Sequence, residues 1–392
     1  MRPGITIQHA RERSPDTELV RSDITGFIGI IPKAKWPRGC GKGDFVELPL
    51  TSWAELADSP VRKYIDPVTV RAVRSFFVNG GELCRLIGLA VEDENDLMTD
   101  NPFEVTFHAL LDRLRAEEDL GLLVMPVLAY LPIEFDRLGR PTVPCQPTIE
   151  LLLEHCREMN NRFLILDTPQ DLHDEALLAW VSQLQETMGP KSCYGAVYYP
   201  WLMDGDDTFP PSGSIAGVYA RTEREHAPFG VKWPPANQVL RGVTHPAVPI
   251  RWRESDHLIA AHVNPILTQP TRGVVVWGAR TLSRDPRWMH VNSRRIVSMI
   301  AEQVRRDSEW VVFENQRPEL WRIVERTVSN RLDMVWNAGL LTGDRAGLDY
   351  EVQCDKELNP LEVRNAGQIN VRIMLRPIST AEFIVVELRL GS

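Results

Sequence analysis

The stretch Pro210-Pro-Ser-Gly-Ser-Ile-Ala-Gly-Val-Tyr-Ala-Arg-Thr222, with Lys232-Trp-Pro-Pro-Ala-Asn237 after it, bears most directly on the fold. It lies between two apolar segments, Tyr194 to Trp201 and Gly273 to Trp277, that are typical of buried strands. The many proline, glycine and aspartate residues between Pro200 and Pro235 predict a loop there. This loop therefore connects two predicted strands.

Helical patterns alternate with short apolar segments upstream of that stretch. The helix predicted from Val105 to Leu114 is followed by a strand from Leu120 to Leu128, and the helix from Thr148 to Asn160 by a strand from Arg162 to Asp167. Helices alternating with continuous apolar strands indicate a mostly parallel sheet that is buried on both faces. The middle of the chain is therefore predicted to be α/β. The same pattern predicts the helices Asp66 to Phe77 and Asp174 to Thr187 and the strand Leu83 to Val91.

The two ends of the chain differ from the middle. Helices are predicted from Arg294 to Arg306 and from Pro318 to Trp336, followed by alternating strands from Gln368 to Leu375 and from Ala381 to Leu390. The alternation of Gly4-Ile-Thr-Ile-Gln8 predicts a further extended segment with no core of its own. Because a terminal strand leaves backbone groups unpaired at its edge, both ends are expected to pair with another chain.

The composition limits the class of protein. The chain has 392 residues, which favours two or three domains, and a formal charge of -9, which disfavours a general affinity for nucleic acid or anionic membrane. No apolar run is long enough for a transmembrane helix, and the first ten residues contain no signal sequence, so cytoplasmic synthesis is expected. The six cysteines form no CxxC pair and are expected to be reduced and buried. They are Cys40, Cys84, Cys145, Cys156, Cys193 and Cys354.

Two motifs partly match nucleotide-binding and hydrolase signatures. Lys42 follows a glycine-rich turn, but Gly43 stands where a phosphate-binding loop needs Ser or Thr. Ser212 and Ser214 lack the GxSxG elbow that exposes a serine nucleophile. Neither motif predicts a catalytic site or a cofactor.

Two further motifs partly match metal sites. His257 and His262 are five residues apart, so they diverge on a helix and cannot share a metal ion in the manner of HExxH. The acidic turn at Asp204, Asp206 and Asp207 lacks the downstream glutamate of an EF-hand loop. No metal site is predicted.

The predicted helix from Arg294 to Arg306 carries two arginine pairs. Arg294-Arg295 and Arg305-Arg306 are about three helical turns apart, which places them at similar positions around the helix. The strip is either an ordinary solvated face or a docking surface for an acidic partner.

The stretch quoted first resembles the signature of tail sheath proteins from contractile phages and extracellular injection systems. The resemblance extends from about Ile24 to Leu390, with Thr380 where the family often has proline and with a divergent Phe229-Gly-Val231. Other segments that resemble the family are Phe76-Phe-Val-Asn-Gly-Gly81, Arg162-Phe-Leu-Ile-Leu-Asp-Thr-Pro169, Tyr198-Tyr-Pro-Trp201, Val276-Trp-Gly-Ala-Arg-Thr-Leu-Ser283, Trp288, Val291-Asn-Ser-Arg-Arg295, Phe313-Glu-Asn315, Trp321 and Ala381-Glu-Phe383.

This resemblance implies a multi-domain tail-sheath fold, α/β and α+β. It implies an N-terminal linker arm (1–20), an N-terminal and central α/β domain (21–274), a C-terminal α+β domain (275–379) and a C-terminal strand (380–392). The C-terminal domain is expected to be completed by strands exchanged between subunits. The residues expected to exchange are Ile5, Ile7, Phe383, Ile384, Val386 and Leu388.

The resemblance also implies a structural protein with no cofactor, not an enzyme. Such subunits form a helical contractile tube around an inner tube and inject that tube by contraction. The implied partners are neighbouring copies, the inner tube protein, and baseplate and terminator or cap proteins, with no nucleic acid and no membrane insertion. Assembly is expected in the cytoplasm of a bacterium, as part of a phage tail or a pyocin-like or extracellular injection particle. The arginines expected to contact the tube are Arg294, Arg295, Arg305 and Arg306.

Two alternatives stay open from the sequence. One is a sheath-like scaffold that assembles but never contracts. The other is an α/β enzyme with a ligand site at the ends of the central strands.

Overall fold

The computed structural model describes residues 20–36, 45–91, 103–137, 141–142, 145–314, 317–343, 349–378 and 384–390. Within these ranges no helix is long and apolar enough to cross a membrane. The predicted arm residues Ile5 and Ile7, together with Cys40, Lys42 and Phe383, lie outside the described ranges.

In the described ranges, a nine-stranded sheet forms the centre of the molecule, with the strand order β11-β14-β13-β8-β7-β4-β1-β3-β2. Its middle strands are parallel, while β2, β14 and β11 pair antiparallel at the two edges. The predicted parallel α/β sheet is confirmed. The strands are β1 (Thr25–Pro32), β2 (Phe45–Leu50), β3 (Cys84–Val91), β4 (Leu122–Val124), β7 (Phe163–Asp167), β8 (Gly195–Tyr199), β11 (Gln238–Val239), β13 (Val263–Gln269) and β14 (Gly273–Val276). Short strands outside this sheet are β5 (Glu134–Phe135), β6 (Pro141–Thr142), β9 (Leu202–Asp204), β10 (Asp207–Phe209) and β12 (His245–Pro246).

Helices cover both faces of this sheet because the strands are apolar on both sides. One face packs on α3, α4 and α5, and the opposite face packs on α2 and α6. The helices of this part are α1 (Trp53–Asp58), α2 (Pro67–Val78), α3 (Phe103–Ala116), α4 (Gln146–Met159), α5 (Asp174–Met188), α6 (Ser212–Glu225) and α7 (Trp252–Ala260).

The loop predicted from Pro200 to Pro235 is wrong, because this stretch contains helix α6. Small residues let α6 approach the backbone of α2. A Cβ on Gly213 would lie 2.3 Å from the carbonyl oxygen of Ala72, and one on Gly217 would lie 2.4 Å from that of Phe76. These glycines are therefore needed for close helix packing and do not mark a turn.

A second, smaller core contains the C-terminal third of the chain. Strand β16 alternates buried Ile369, Val371, Ile373 and Leu375 with half-buried residues, as its sequence predicts, and pairs antiparallel on both sides. Two helices pack their apolar stripes on this sheet. The elements are α8 (Val291–Asp307), α9 (Pro318–Asn337), β15 (Tyr350–Gln353), α10 (Leu361–Asn365), β16 (Ile369–Leu375) and β17 (Ile384–Leu390).

Along the chain, β14 is the last strand of the large core and α8 is the first α-helix of the small core. The predicted boundary at residues 274/275 falls inside β14, whose Val274 and Val276 lie in the core of the large sheet. The domain ranges themselves stay a prediction.

Replacing Gly217 with alanine is expected to destabilise the chain. In an open helix the change would stabilise by about 1 kcal/mol, since alanine has the higher helix propensity. Here the added methyl group forces α2 and α6 apart, so we expect a loss on the order of 1–3 kcal/mol in denaturant unfolding. Glu225→Ala, at the exposed end of α6, is the control and should change stability by less than about 0.5 kcal/mol. A stabilised Gly217→Ala variant would contradict the close packing.

Candidate assembly site

The carboxyl ends of the parallel strands are where an α/β enzyme would bind its ligand. In the described residues this crevice is filled by the chain itself. Trp201 donates its indole N–H to the carbonyl oxygen of Thr168 (2.8 Å), and the amide of Gln170 donates to Ala129 (2.8 Å). The cavity left beside Asp167 has a volume of only about 10 Å³, which is no larger than one water molecule. The described part of the crevice therefore has no room for a substrate.

Asp167 ends β7 and faces the start of α6. Its carboxylate accepts a hydrogen bond from the amide of Ser212 (2.7 Å). Burial raises the pKa of Asp167 to about 7, and the hydrogen bonds from Ser212 lower it only in part. The carboxyl group thus joins the sheet to α6 and has no reaction partner beside it in the described cavity.

Asp167→Asn tests this environment. The pKa of Asp167 is higher in the folded chain than in the unfolded chain, so its protonated carboxyl group stabilises the fold at low pH. That contribution to the unfolding free energy is lost as the pH rises from about 4 to about 7. The asparagine keeps an acceptor for Ser212 and has no proton to lose. We therefore expect nearly equal unfolding free energies at pH 4 and a variant more stable by about 4 kcal/mol at pH 8, since each of the roughly three pH units between the two pKa values contributes about 1.4 kcal/mol.

The control for that titration is Asp171→Asn, on the exposed turn after β7. It removes one exposed carboxylate from the neighbouring turn and is the reference for the pH-dependent gain of Asp167→Asn. A constant difference between Asp167→Asn and the unchanged chain from pH 4 to pH 8 would contradict the raised pKa.

The predicted acidic turn is occupied by an arginine. Arg71 lies 2.7 Å from Asp204 and 3.7 Å from Asp207. No group of three or more potential metal ligands occurs in the described residues. His262 has its Nδ1 2.9 Å from the carbonyl oxygen of Thr281 and lies after the end of α7, whereas His257 lies within that helix. The five described cysteines are all buried thiols, as expected.

The C-terminal strand β17 has a partner within the same chain. Residues Ile384 to Leu390 pair with Leu375 to Ile369 over seven register positions. The expectation that this strand lacks an internal partner is therefore wrong in the isolated chain. Ile384 and Val386 are buried in the small core and Leu388 is half-buried against it.

Strand β17 is also the edge of its three-stranded sheet in the described residues. Val385, on the face away from the core, is 52% exposed. The five residues before β17, 379–383, lie outside the described ranges. Exchange of Ile384, Val386 and Leu388 between subunits stays a prediction, as it does for Ile5, Ile7 and Phe383.

The prediction of one exposed strip of four arginines is wrong. Arg294 and Arg295 are only 3% and 5% exposed, because α8 lies between the two cores. The guanidinium of Arg294 stacks on Tyr194 and Trp288, at 4.5 and 4.3 Å from the ring centroids, and donates to Asn160 (3.1 Å). In this structure these two arginines connect parts of the chain and lie beneath its surface.

Arg305 and Arg306 are partly exposed at the other end of α8. Both pair with Glu302, at 2.9 and 2.7 Å, and Arg305 also pairs with Glu118 of the central domain (3.0 Å). The hydrogen bonds with Glu302 raise the pKa of Arg305. Contact of this pair with an inner tube stays a prediction.

Sequence reasoning missed the group around Arg295. Its guanidinium bonds to Ser22, two hundred and seventy-three positions earlier, and to Glu223 on α6. Ser22 and Glu223 carry no local pattern that pairs them. The one sequence signal for their burial was that Arg294 and Arg295 lie in a helix and are followed directly by apolar residues.

Two family models match this chain. The phage tail sheath protein central domain matches residues 142–282, and the phage tail sheath C-terminal domain matches residues 283–391. Together they cover more than half of the chain. The molecule is a two-core sheath-type protein, and the chain belongs to the phage tail sheath protein family.

Curated relatives agree with this assignment. A prophage major tail sheath protein of Pseudomonas aeruginosa strain UCBPP-PA14 is 23% identical over 253 residues, which cover 62% of each chain. The tail sheath protein of Vibrio phage KVP40 is 22% identical over 189 residues, 48% of this chain and 27% of that one. The match thus spans less than two thirds of either relative.

Solved structures share the fold over nearly the whole chain. The helical sheath of the anti-feeding prophage in its contracted state has a TM-score of 0.69 at 24% identity, covering 98% of both chains. The contracted sheath complex of the extracellular contractile injection system PVC has a TM-score of 0.70 at 22% identity, covering 99% of this chain and 97% of that one. At this identity the likeness shows the fold alone.

Proposed function

We propose that this protein is a structural sheath subunit that polymerises into a helical contractile tube around an inner tube. The observation that carries the proposal is the family match combined with an edge strand, β17, whose seven-residue pairing another copy can supply. Contraction drives the inner tube forward. Neighbouring sheath subunits, an inner tube protein, and baseplate and terminator or cap proteins are its partners.

The filled strand-end crevice supports a structural role over an enzymatic one. A catalytic site needs a concave pocket with convergent polar groups, and the cavity at Asp167 accommodates no substrate. Contraction needs no nucleotide in this proposal. It releases free energy stored in an extended lattice, and a gain of about 1–3 kcal/mol per subunit sums over many linked copies.

Strand exchange is the proposed means of linkage. A neighbour's strand in the place of β17 makes the same backbone bonds and buries the same apolar residues, so exchange costs little beyond ordering the connecting segment. Bodies joined in this way stay connected while their other contacts break and reform. Assembly in the bacterial cytoplasm follows for a subunit of such a particle.

Deleting Phe383 to Ser392 tests the linkage. The deletion removes the edge strand from the core formed by β16, α8 and α9, so we expect no hollow cylinders in negative-stain images where the unchanged protein forms them. Deleting Met1 to Ala10 should also prevent cylinders and leave the body folded. Removal of Gly391 and Ser392 alone keeps β17 whole and is the matched control. If either of these two ten-residue deletions still gave normal cylinders, the proposed linkage would be refuted.

The inner tube is proposed to contact exposed arginines of the C-terminal domain. Neutralising Arg305 and Arg306 to glutamine should reduce assembly on purified tubes, because the tube surface is proposed to be acidic. Arg322→Gln with Arg326→Gln removes two exposed charges one turn apart on α9 and is the comparison. Co-sedimentation with tubes is the measurement, with thermal unfolding to confirm that both variants fold. Loss of binding in the α9 variant alone would place the contact on that helix and refute Arg305 and Arg306.

A further inference from the structure

We infer that Ser22, Glu223 and Arg295 form a clamp that fixes the root of the N-terminal segment between the central domain and the C-terminal domain. This inference rests on the proposed function, because its use is to pass tension from a linked neighbour into both cores. Ser22 lies just before β1, Glu223 on α6 and Arg295 on α8. We call these three residues the root clamp.

Hydrogen bonds connect all three members of the root clamp. Nη2 of Arg295 lies 2.7 Å from the Glu223 carboxylate, 2.9 Å from the carbonyl oxygen of Ser22 and 3.0 Å from its hydroxyl. The amide and hydroxyl of Ser22 both donate to Glu223, at 3.1 and 2.8 Å. The backbone N–H of Ser22 thus donates a hydrogen bond to the central domain, and its C=O accepts one from the C-terminal domain.

The root clamp is shielded from water. The side chains of Arg295 and Glu223 are only 5% and 16% exposed, and the Arg295 guanidinium lies 5.0 Å from the ring centroid of Tyr219. Charge-assisted bonds are stronger in such surroundings than at the surface. The hydroxyl of Tyr219 lies 2.8 Å from that of Tyr198 on β8, so the contact continues into the large sheet.

The backbone packing at Ser22 is equally close. A Cβ on Gly121 would lie 2.1 Å from the Ser22 carbonyl oxygen, so only glycine allows this approach. The amide of Gly121 donates to Ile24 (2.9 Å), and the amide of Val20 donates to the Gln303 side chain of α8 (2.9 Å). The segment is therefore held on both sides of Ser22.

Directional bonds suit an anchor under tension. Apolar contacts are non-directional, so a strand can slide across them, whereas a hydrogen bond weakens steeply once it is misaligned. Pulling on the chain before Ser22 must break bonds to both domains at once. Loss of one partner leaves the other buried charge unpaired, which opposes partial release.

Amide hydrogen exchange on the purified monomer tests the root clamp without any assembly. In Glu223→Gln and in Arg295→Met we expect exchange at residues 20–24 to accelerate about 10- to 100-fold, the effect of losing a bond to a charged group. Exchange in β7 should stay within about twofold, because the fold is kept. Ser22→Ala removes one hydroxyl, keeps the charge pair, and should accelerate the same amides about 2- to 10-fold.

The matched control is Arg115→Met with Glu158→Gln. This pair also joins two separate helices, at 2.8 Å, but it is exposed and shares no hydrogen bond or ion pair with Ser22, Glu223 or Arg295. It should leave residues 20–24 unchanged. If the arginine and glutamate variants fail to fold, Ser22→Ala still gives the answer. Unchanged exchange at residues 20–24 in every folded root-clamp variant would overturn the inference.

Assembled particles give the second measurement. If the unchanged protein forms cylinders, Ser22→Ala cylinders should fragment at lower shear or denaturant than unchanged ones, while control cylinders should not. Equal resistance, with exchange accelerated, would overturn the tension role. If the unchanged protein forms no cylinders, the proposed function fails, and the exchange result still decides whether the root clamp exists.

Discussion

Helix α8 runs between the two cores of the molecule and is buried from Val291 to Val304 although much of it is polar. One stripe, including Ile296 and Ile300, packs into the small core. The opposite stripe carries Arg294 and Arg295 against the central domain. A buried guanidinium is tolerated only when its bonds are satisfied, and removing a partner from a buried pair typically costs about 3–5 kcal/mol. The position of one core against the other therefore depends on these paired arginines.

The alternating pattern of helices and strands could be predicted, because period and apolar content report burial directly. The strand patterns around Arg162 to Asp167 and Gln368 to Leu375 gave the correct elements for this reason. Helix α6 could not be predicted. Its glycines serve close packing on α2, and a composition rich in Gly, Pro and Ser is the same whether a segment turns or packs backbone against backbone.

The candidate site could be predicted only in part. The amphipathic pattern of β17 indicates an edge strand, but the sequence of that strand does not say which other strand it pairs with. The isolated chain pairs it with β16, and a second copy offers an identical β16. Likewise Arg294 and Arg295 have the helical spacing of a surface strip. Their burial depends on Asn160, Ser22 and Glu223, which come from distant parts of the chain.

These features divide the molecule into parts with different mechanical character. The large sheet, covered on both faces, and the small core joined to it by α8 form a body in which motion would expose paired charges. Strand β17 is bound by one sheet edge and by a few apolar side chains. In the proposed strand exchange, an identical strand from a second copy replaces its partner at almost no difference in contact energy. In the proposed lattice, rearrangement therefore requires change at the sheet edges and not within the body. Under this proposal a subunit keeps its fold through a large displacement, since the contacts that break are those that a neighbouring copy restores.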